Sequence, residues 1–219
     1  MTRRRFLRAI LSALGASTSA PRSGAAASAE LALPETVPVE RFDFEAHGVD
    51  GWTIVDGQWT VEEMPDAPSG RRVLVQRALK NAFDVIVAPP GPFTDMDVSV
   101  RFKPIAGRED ASGGIVFRFS QGRYYVVRAN ALEGNFRLYY YDGGRRQLAS
   151  ARVTPPAIGQ WHTIRLVTIG DRMQAWLDGA LSLDHRDSRF KAGRVGLWTK
   201  ADSITAFDDL TIRGVSASP

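Results

Sequence analysis

The sequence predicts an all-β fold made of short antiparallel strands. In the segment MDVSVRFK, Val98, Val100 and Phe102 alternate with polar residues, which is the period-2 pattern of a half-buried strand. Glycine and Asp-Gly signals interrupt the chain about every ten residues. No window of about 12 residues after the amino-terminal region shows a helical apolar stripe. Many short strands with regular turns are typical of a sandwich or barrel.

The alternation continues further along the chain. In GIVFRFS, Ile115, Phe117 and Phe119 are predicted to share the buried face, with Arg118 on the opposite face. HTIRLVTI and MQAWLD follow the same pattern more loosely. The intervening DG and DGG turns favour antiparallel hairpins.

Residues 1–29 have the three parts of an export signal. A basic opening precedes an apolar stretch, residues 9–16, that is too short to span a bilayer. Ala27-Ser28-Ala29 then predicts cleavage before Glu30. TRRRFLRAI resembles a twin-arginine signal, which implies folding before export; the alternative is an Arg-rich general secretory signal. We therefore expect a periplasmic or extracellular protein whose mature chain has no transmembrane span.

The charge distribution argues against nucleic-acid binding. The chain has a formal charge of +4, from 28 basic and 24 acidic residues. Five of the arginines lie in residues 1–29, which contain no acid, so 23 basic residues face 24 acidic ones in the rest. There is no cysteine, which excludes disulfides and thiolate chemistry.

The rest of the chain is predicted to be a single domain. Residues 30–38 form a lead-in linker, residues 39–214 the folded domain, and residues 215–219 a flexible tail. The domain is long enough to bury a core without covalent cross-links.

A family resemblance covers nearly all of this domain, from Phe42 to Ile212. The residues that carry it are FDFEAHGVDGWTIVDGQWTV, GGIVFRFSQGRYYVVRANALEGNFRLYYYDGGRR, and WHTIRLVTIGDRMQAWLDGALSLDHRDSRFKAGRVGLWTKADSITAFDDLTI. The sequence resembles concanavalin A-like lectin/glucanase and laminin-G-like domains, which implies an antiparallel two-sheet jelly-roll sandwich. It is similar to bacterial exported domains described as 3-keto-disaccharide hydrolase-like or family 16 glycoside hydrolase-like.

The paired carboxylates of a family 16 hydrolase are missing. Family 16 enzymes carry their carboxylates on one strand, with a spacing that resembles E-x-D-x-E. No such motif occurs here. Enzymes that act on 3-keto sugars cleave by elimination, which needs only a base and groups that stabilise an enolate-like intermediate. Glu133, His162, His185 and Asp202 are the candidates, with packing or loop roles as the alternative for both histidines. The sequence assigns no catalytic residue.

Four carboxylates suggest a structural calcium site. Asp43 and Glu45 are predicted two apart on one face of the first strand, and Asp208 and Asp209 lie on the last; these two strands pair in many sugar-binding jelly rolls. Calcium prefers hard oxygen ligands of this kind. The alternative is that these are solvated charges at a sheet edge.

The most unusual segment contains RYYVVRAN and NFRLYYYD, which read as neighbouring strands. Their alternation predicts an Arg- and Tyr-rich face outside the core that binds ligand. Tyrosine rings suit sugar C–H faces, and arginine suits the carboxylates of acidic sugars. The alternative is cross-strand pairing alone. The predicted ligand-binding residues are Arg118, Tyr124, Arg128, Asn130, Arg137, Tyr139, Tyr141, Trp198 and Lys200.

Three functions remain open on this reading. The first is an exported domain that binds a poly- or oligosaccharide without catalysis. The second is a glycan-active enzyme of the 3-keto-disaccharide or glycoside hydrolase type. The third is a cell-envelope domain that binds another protein. The oligomeric state cannot be inferred from the sequence. No organic cofactor is expected.

Overall fold

A computed structural model describes residues 29–217, so the predicted export signal lies outside the described residues except for Ala29. Residues 29–217 contain fifteen strands and no helix, and therefore no helix that could cross a membrane. The strands are β1 (Val39–Phe42), β2 (Thr53–Asp56), β3 (Trp59–Glu63), β4 (Arg72–Gln76), β5 (Phe83–Val87), β6 (Phe93–Ala106), β7 (Ser112–Ser120), β8 (Arg123–Asn130), β9 (Asn135–Tyr141), β10 (Arg145–Arg152), β11 (His162–Ile169), β12 (Arg172–Leu177), β13 (Ala180–Arg186), β14 (Arg194–Lys200) and β15 (Ile204–Ser216).

The strands form two antiparallel sheets. The eight-stranded sheet has the order β13-β12-β11-β6-β15-β4-β3, with β1 also paired to β15. The seven-stranded sheet has the order β10-β9-β8-β7-β14-β5-β2. Every strand pair in both sheets is antiparallel, which confirms the predicted all-β, two-sheet jelly roll.

The main core lies between the sheets, because each sheet contributes one set of alternate residues to it. Val98 and Val100 come from β6 of the eight-stranded sheet, and Phe117 and Leu197 from β7 and β14 of the seven-stranded sheet; all are fully buried. The inward-facing sets interdigitate as in other sandwiches. The period-2 alternation of MDVSVRFK therefore predicted the inward face of β6 correctly.

A second apolar cluster lies on the other side of the seven-stranded sheet. It contains Val85, Val116, Val126 and Trp198, which alternate with main-core residues along their strands. These side chains are buried because large neighbours on the same face, including Phe83 and Tyr141, pack against them. The predicted ligand-binding face is this outer side.

The predicted end of the domain was two residues short. Val215 and Ser216 belong to β15 rather than to a flexible tail, because Ser216 pairs with Phe93 at the start of β6. At the other end, residues 30–38 contain no strand. The first strand begins at Val39, which pairs with Arg213.

Candidate functional site

The outer side of β8 and β9 carries the candidate site. Register places Tyr124 opposite Tyr141 and Arg128 opposite Arg137. The alternate residues of the same strands, such as Val127 and Leu138, lie in the main core. We call the outer surface the Arg/Tyr face and define it by eight of the predicted residues: Tyr124, Arg128, Asn130, Arg137, Tyr139, Tyr141, Trp198 and Lys200. The predicted alternation of these residues is confirmed.

Arg118 does not belong to this face, which corrects the sequence prediction. Its backbone has φ 51°, and the register of β7 with β8 shifts between Phe117 and Ser120. A bulge of this kind breaks the period-2 alternation, so Arg118 turns away and Phe119 takes the outer side. Phe119 stacks there on Tyr124, with ring centroids 6.0 Å apart.

The Arg118 guanidinium has a structural role at the end of the sandwich. The side chain is 2% exposed, and its nitrogens donate to the carbonyls of Thr94, Gly170 and Phe190 at 2.7–3.2 Å. Burial lowers the pKa of the guanidinium. Its donors are used by backbone acceptors, so it is unsuited to binding a ligand at the Arg/Tyr face.

The tyrosines form a stacked row rather than an open platform. The rings of Tyr124 and Tyr141 lie 5.1 Å apart at 8°, and Phe119 stacks on the other side of Tyr124. Tyr124 and Tyr139 are buried, and burial raises the pKa of Tyr124 well above its ordinary value. Ring faces that contact one another are not available to sugar C–H groups.

Arg145 was missed by sequence reasoning. Its guanidinium lies 4.4 Å from the ring centroid of Tyr139 and 4.9 Å from that of Phe83. The DGG turn before it could have identified Arg145 from the sequence. A hairpin at this turn pairs β9 with β10 and places Arg145 opposite Tyr141. This cation–π contact holds the aromatic end of the face together.

The polar end of the face is a network around Glu133. Its Oε2 accepts from Asn135 Nδ2 at 2.7 Å, Arg128 Nη2 at 3.0 Å and Arg137 Nη1 at 3.4 Å. Tyr139 Oη accepts from both arginines at 3.3 Å. Partial burial raises the pKa of Glu133, but the hydrogen bonds and the two cations outweigh it and bring the pKa below its ordinary value. Glu133 is therefore ionised at neutral pH.

Trp198 and Lys200 lie beside this network on β14. Trp198 is fully buried, in register with Gly114, and stacks on Phe83 at 5.7 Å. Lys200 Nζ lies 3.5 Å from Oδ2 of the buried Asp110. The side chains that remain partly open to solvent include Glu133, Arg137 and Lys200, at 39%, 32% and 26%. The accessible side chains at this end of the site are therefore polar.

At the opposite end, the face borders a groove of about 510 Å³. Phe83, Phe119, Tyr124 and Tyr141 line it, with Asp56 on the rim formed by β2. The site thus combines a charged end and an aromatic end on one sheet.

The other catalytic candidates do not meet at this face. His162 Nδ1 lies 2.7 Å from Asp178 Oδ2, and its ring packs on Phe102 of the eight-stranded sheet. His185 is on β13 of the same sheet. Asp202 accepts the backbone N–H groups of residues 108–110, which outweigh burial and lower its pKa. Of the four candidates, only Glu133 lies on the Arg/Tyr face.

Two of the four carboxylates of the calcium hypothesis, Glu45 and Asp208, bind one segment, residues 69–72. Glu45 Oε1 accepts the N–H groups of Arg71 and Arg72 at 2.7 and 2.6 Å. Asp208 accepts the N–H and hydroxyl of Ser69 at 2.9 and 3.0 Å.

The remaining two acids of that set lie close by along the chain. Asp43 accepts the N–H of Glu45, and Asp209 has φ 50° and donates its N–H to Asp208. Within residues 29–217, no group of three or more histidine or acidic side chains could hold a metal ion. The calcium site stays a prediction.

Fold and face together define a lectin-like jelly-roll domain. The family model of the 3-keto-alpha-glucoside-1,2-lyase-like domain matches residues 41–213. The chain therefore belongs to that family. Among curated proteins it is similar to the levanase of Bacillus subtilis (strain 168), at 24% identity over 166 residues. That match covers 74% of this chain and 22% of the levanase, so the chain spans about a fifth of its relative.

Solved structures confirm the fold. The carbohydrate-binding module CBM66 from Bacillus subtilis superposes with a TM-score of 0.65 at 20% identity, covering 75% of this chain and 96% of the module. A Bacillus subtilis protein of unknown function with a galectin-like fold gives 0.62 at 13% identity, covering 81% and 96%.

Proposed function

We propose that this chain is a glycan-binding domain that holds sugar at the polar end of the Arg/Tyr face. The observation that carries the proposal is the side-by-side placement of the Glu133 carboxylate and the Arg137 guanidinium, both partly exposed. A sugar hydroxyl both donates and accepts hydrogen bonds. Adjacent hydroxyls can therefore pair with the carboxylate and the guanidinium together. The shared fold with a carbohydrate-binding module supports the proposal.

Family membership favours a second candidate, cleavage of a 3-keto-glycoside by elimination. Glu133 is the candidate base, because it is the candidate that lies on the face. Its lowered pKa makes it ionised but weakly basic, which is poorly matched to proton abstraction at neutral pH. Binding is therefore the primary proposal.

Two assays on the same preparation separate these functions. A glycan array reports binding, and incubation with 3-keto-disaccharides reports turnover. Binding without turnover supports the first function and turnover supports the second. Silence in both assays contradicts both and favours an interaction with another protein.

A matched pair of variants tests the placement. Arg137→Ala should abolish glycan binding, because it removes the exposed donor beside Glu133. Arg186→Ala removes an exposed arginine from the eight-stranded sheet and should leave binding unchanged. Equal binding by both variants would contradict the placement at the Arg/Tyr face.

We also propose export by the twin-arginine route. The basis is the sequence of residues 1–29, above all Arg3 and Arg4 before Phe6 and Leu7. Replacing Arg3 and Arg4 by lysine should retain the protein in the cytoplasm, measured by cell fractionation. Undiminished export of this variant would instead support the general secretory route.

A further inference from the structure

Four buried polar atoms without a hydrogen-bond partner cluster beside the Glu133 network. They are Asp110 Oδ2, Ser112 Oγ, Arg128 Nε and Asn130 Nδ2. Ser112 and Asn130 are cross-strand partners on β7 and β8, and all four residues are at most 1% exposed. Buried polar atoms are nearly always paired, and an unpaired one costs about 1–3 kcal/mol. Such a concentration at one place needs an explanation.

Three of the four side chains are held in position by their other polar atoms. Asn130 Oδ1 accepts the N–H groups of Leu132 and Glu133 at 2.8 and 3.2 Å. Asp110 Oδ1 accepts the Ser203 hydroxyl at 3.3 Å. Arg128 Nη1 donates to the Asn135 side chain at 2.7 Å. The unpartnered atoms of Asn130, Asp110 and Arg128 are therefore held in fixed directions, and Ser112 lies in a regular strand.

The chemistry of the set matches uncharged hydroxyls. Arg128 Nε and Asn130 Nδ2 donate, Asp110 Oδ2 accepts, and Ser112 Oγ does both. The charges beside the set are already paired within the protein, Glu133 with Arg128 and Arg137, and Asp110 with Lys200. A charged ligand group would have to compete with one of these ion pairs. A neutral polyol can bind the unpartnered atoms without that competition.

We propose that Asp110, Ser112, Arg128 and Asn130 form a hydroxyl pocket that selects neutral sugars over acidic ones. This proposal rests on glycan binding at the Arg/Tyr face, and it reverses the preference for acidic sugars that the arginines alone predict. Lys200 Nζ contacts Asp110 Oδ2 at 3.5 Å from a side chain that is 26% exposed. Movement of this flexible side chain off Asp110 admits the ligand.

Two conservative variants test the pocket by calorimetric titration with neutral hexose oligosaccharides and with oligouronates. Ser112→Ala removes a hydroxyl that has no protein partner, so it should lower the affinity for neutral oligosaccharides about tenfold without lowering the melting temperature. Asn130→Asp keeps the oxygen that caps the turn and loses the donor, and should bind more weakly still. Thr168→Val removes an equally buried, unpartnered hydroxyl from the eight-stranded sheet and should bind normally.

The outcomes separate the two proposals. If Arg137→Ala abolishes binding while Ser112→Ala and Asn130→Asp bind as the wild type does, glycan binding stands and the hydroxyl pocket is overturned. Tighter binding of oligouronates than of neutral oligosaccharides also overturns the pocket. If the wild type binds neither class, both proposals fail.

Discussion

Single residues decide how far this sequence could be interpreted. Arg118 stands between Phe117 and Phe119 in the sequence, a pattern that predicts an outward-facing arginine. In the structure it lies buried and donates to three backbone carbonyls. Its positive φ leaves no mark in the sequence, because no glycine or asparagine stands there. An arginine is expected on the surface, so burial could only be seen in the structure.

Arg118 should matter for stability and not for binding. Arg118→Met keeps the length of the side chain but leaves buried carbonyls unpaired, and should lower the free energy of unfolding by about 3 kcal/mol. Arg123→Met, at an exposed arginine nearby, should cost far less. Urea denaturation measures both, and equal losses would contradict the structural role.

Asp84 should give the stability an unusual pH dependence. It is buried between the sheets, and burial outweighs the Thr199 hydrogen bond and raises its pKa from 3.8 to about 6. The folded state then holds a proton that the unfolded chain has released. The stabilisation is complete below about pH 4 and is lost as the pH rises through about 6.

The loss of unfolding free energy expected from Asp84 follows from its pKa shift of about two units and is ~3 kcal/mol at most. Between pH 4 and pH 7 the wild type should lose more unfolding free energy than Asp84→Asn does. Asp208, whose pKa burial also raises to about 6, should contribute in the same direction. Parallel pH profiles for wild type and Asp84→Asn would show that Asp84 does not titrate in this range.

At the scale of elements, the strands were predictable and their irregularities were not. Alternation identified the inward faces of β6, β8 and β9, because a buried face must be apolar. It failed at the bulge of β7, where one register shift exchanged the faces of Arg118 and Phe119. The site was predicted where regular strands supply it, as for Arg128 and Arg137.

Groups supplied by loops and turns escaped the same reasoning. Asp110 precedes β7 and Arg145 follows a turn, so period-2 alternation carries no information about their direction. Glu133 was found only as one of four candidate bases. Its partnership with two arginines depends on the register of β8 with β9.

The close pairing of β7 with β8 depends on Gly114. A Cβ there would lie 2.7 Å from the Val127 carbonyl oxygen and 2.9 Å from the Arg128 Cβ. Gly114→Ala should therefore cost about 1–3 kcal/mol and weaken glycan binding by displacing Arg128. Gly144→Ala, where nothing lies within 4 Å, is the control. Denaturation and titration of both variants check this, and an unaltered Gly114→Ala protein would contradict it.

At the scale of the whole molecule, the two sheets have separate tasks. The seven-stranded sheet carries the Arg/Tyr face, while the eight-stranded sheet holds both ends of the domain through the pairing of β1 with β15. Glu45 and Asp208 support those ends by binding residues 69–72. The sequence predicted the pairing of first and last strands from family resemblance rather than from any local pattern.

The calcium hypothesis is tested on the intact domain. If calcium joins the carboxylates near β1 and β15, it should raise the melting temperature and a chelator should lower it. Glu45→Gln should remove the response. Equal melting temperatures with calcium and with chelator would contradict the site.

The pairing of β1 with β15 also determines how the domain can be joined to other chains. Val39 and Arg213 are antiparallel partners about 5 Å apart, and β15 ends three residues later at Ser216, so the polypeptide enters and leaves the sandwich at neighbouring points. A unit with adjacent ends can be spliced into a surface turn of a host protein without stretching it. Because the entry and exit strands belong to the eight-stranded sheet and the Arg/Tyr face to the other sheet, such a graft would display the Arg/Tyr face to the surroundings.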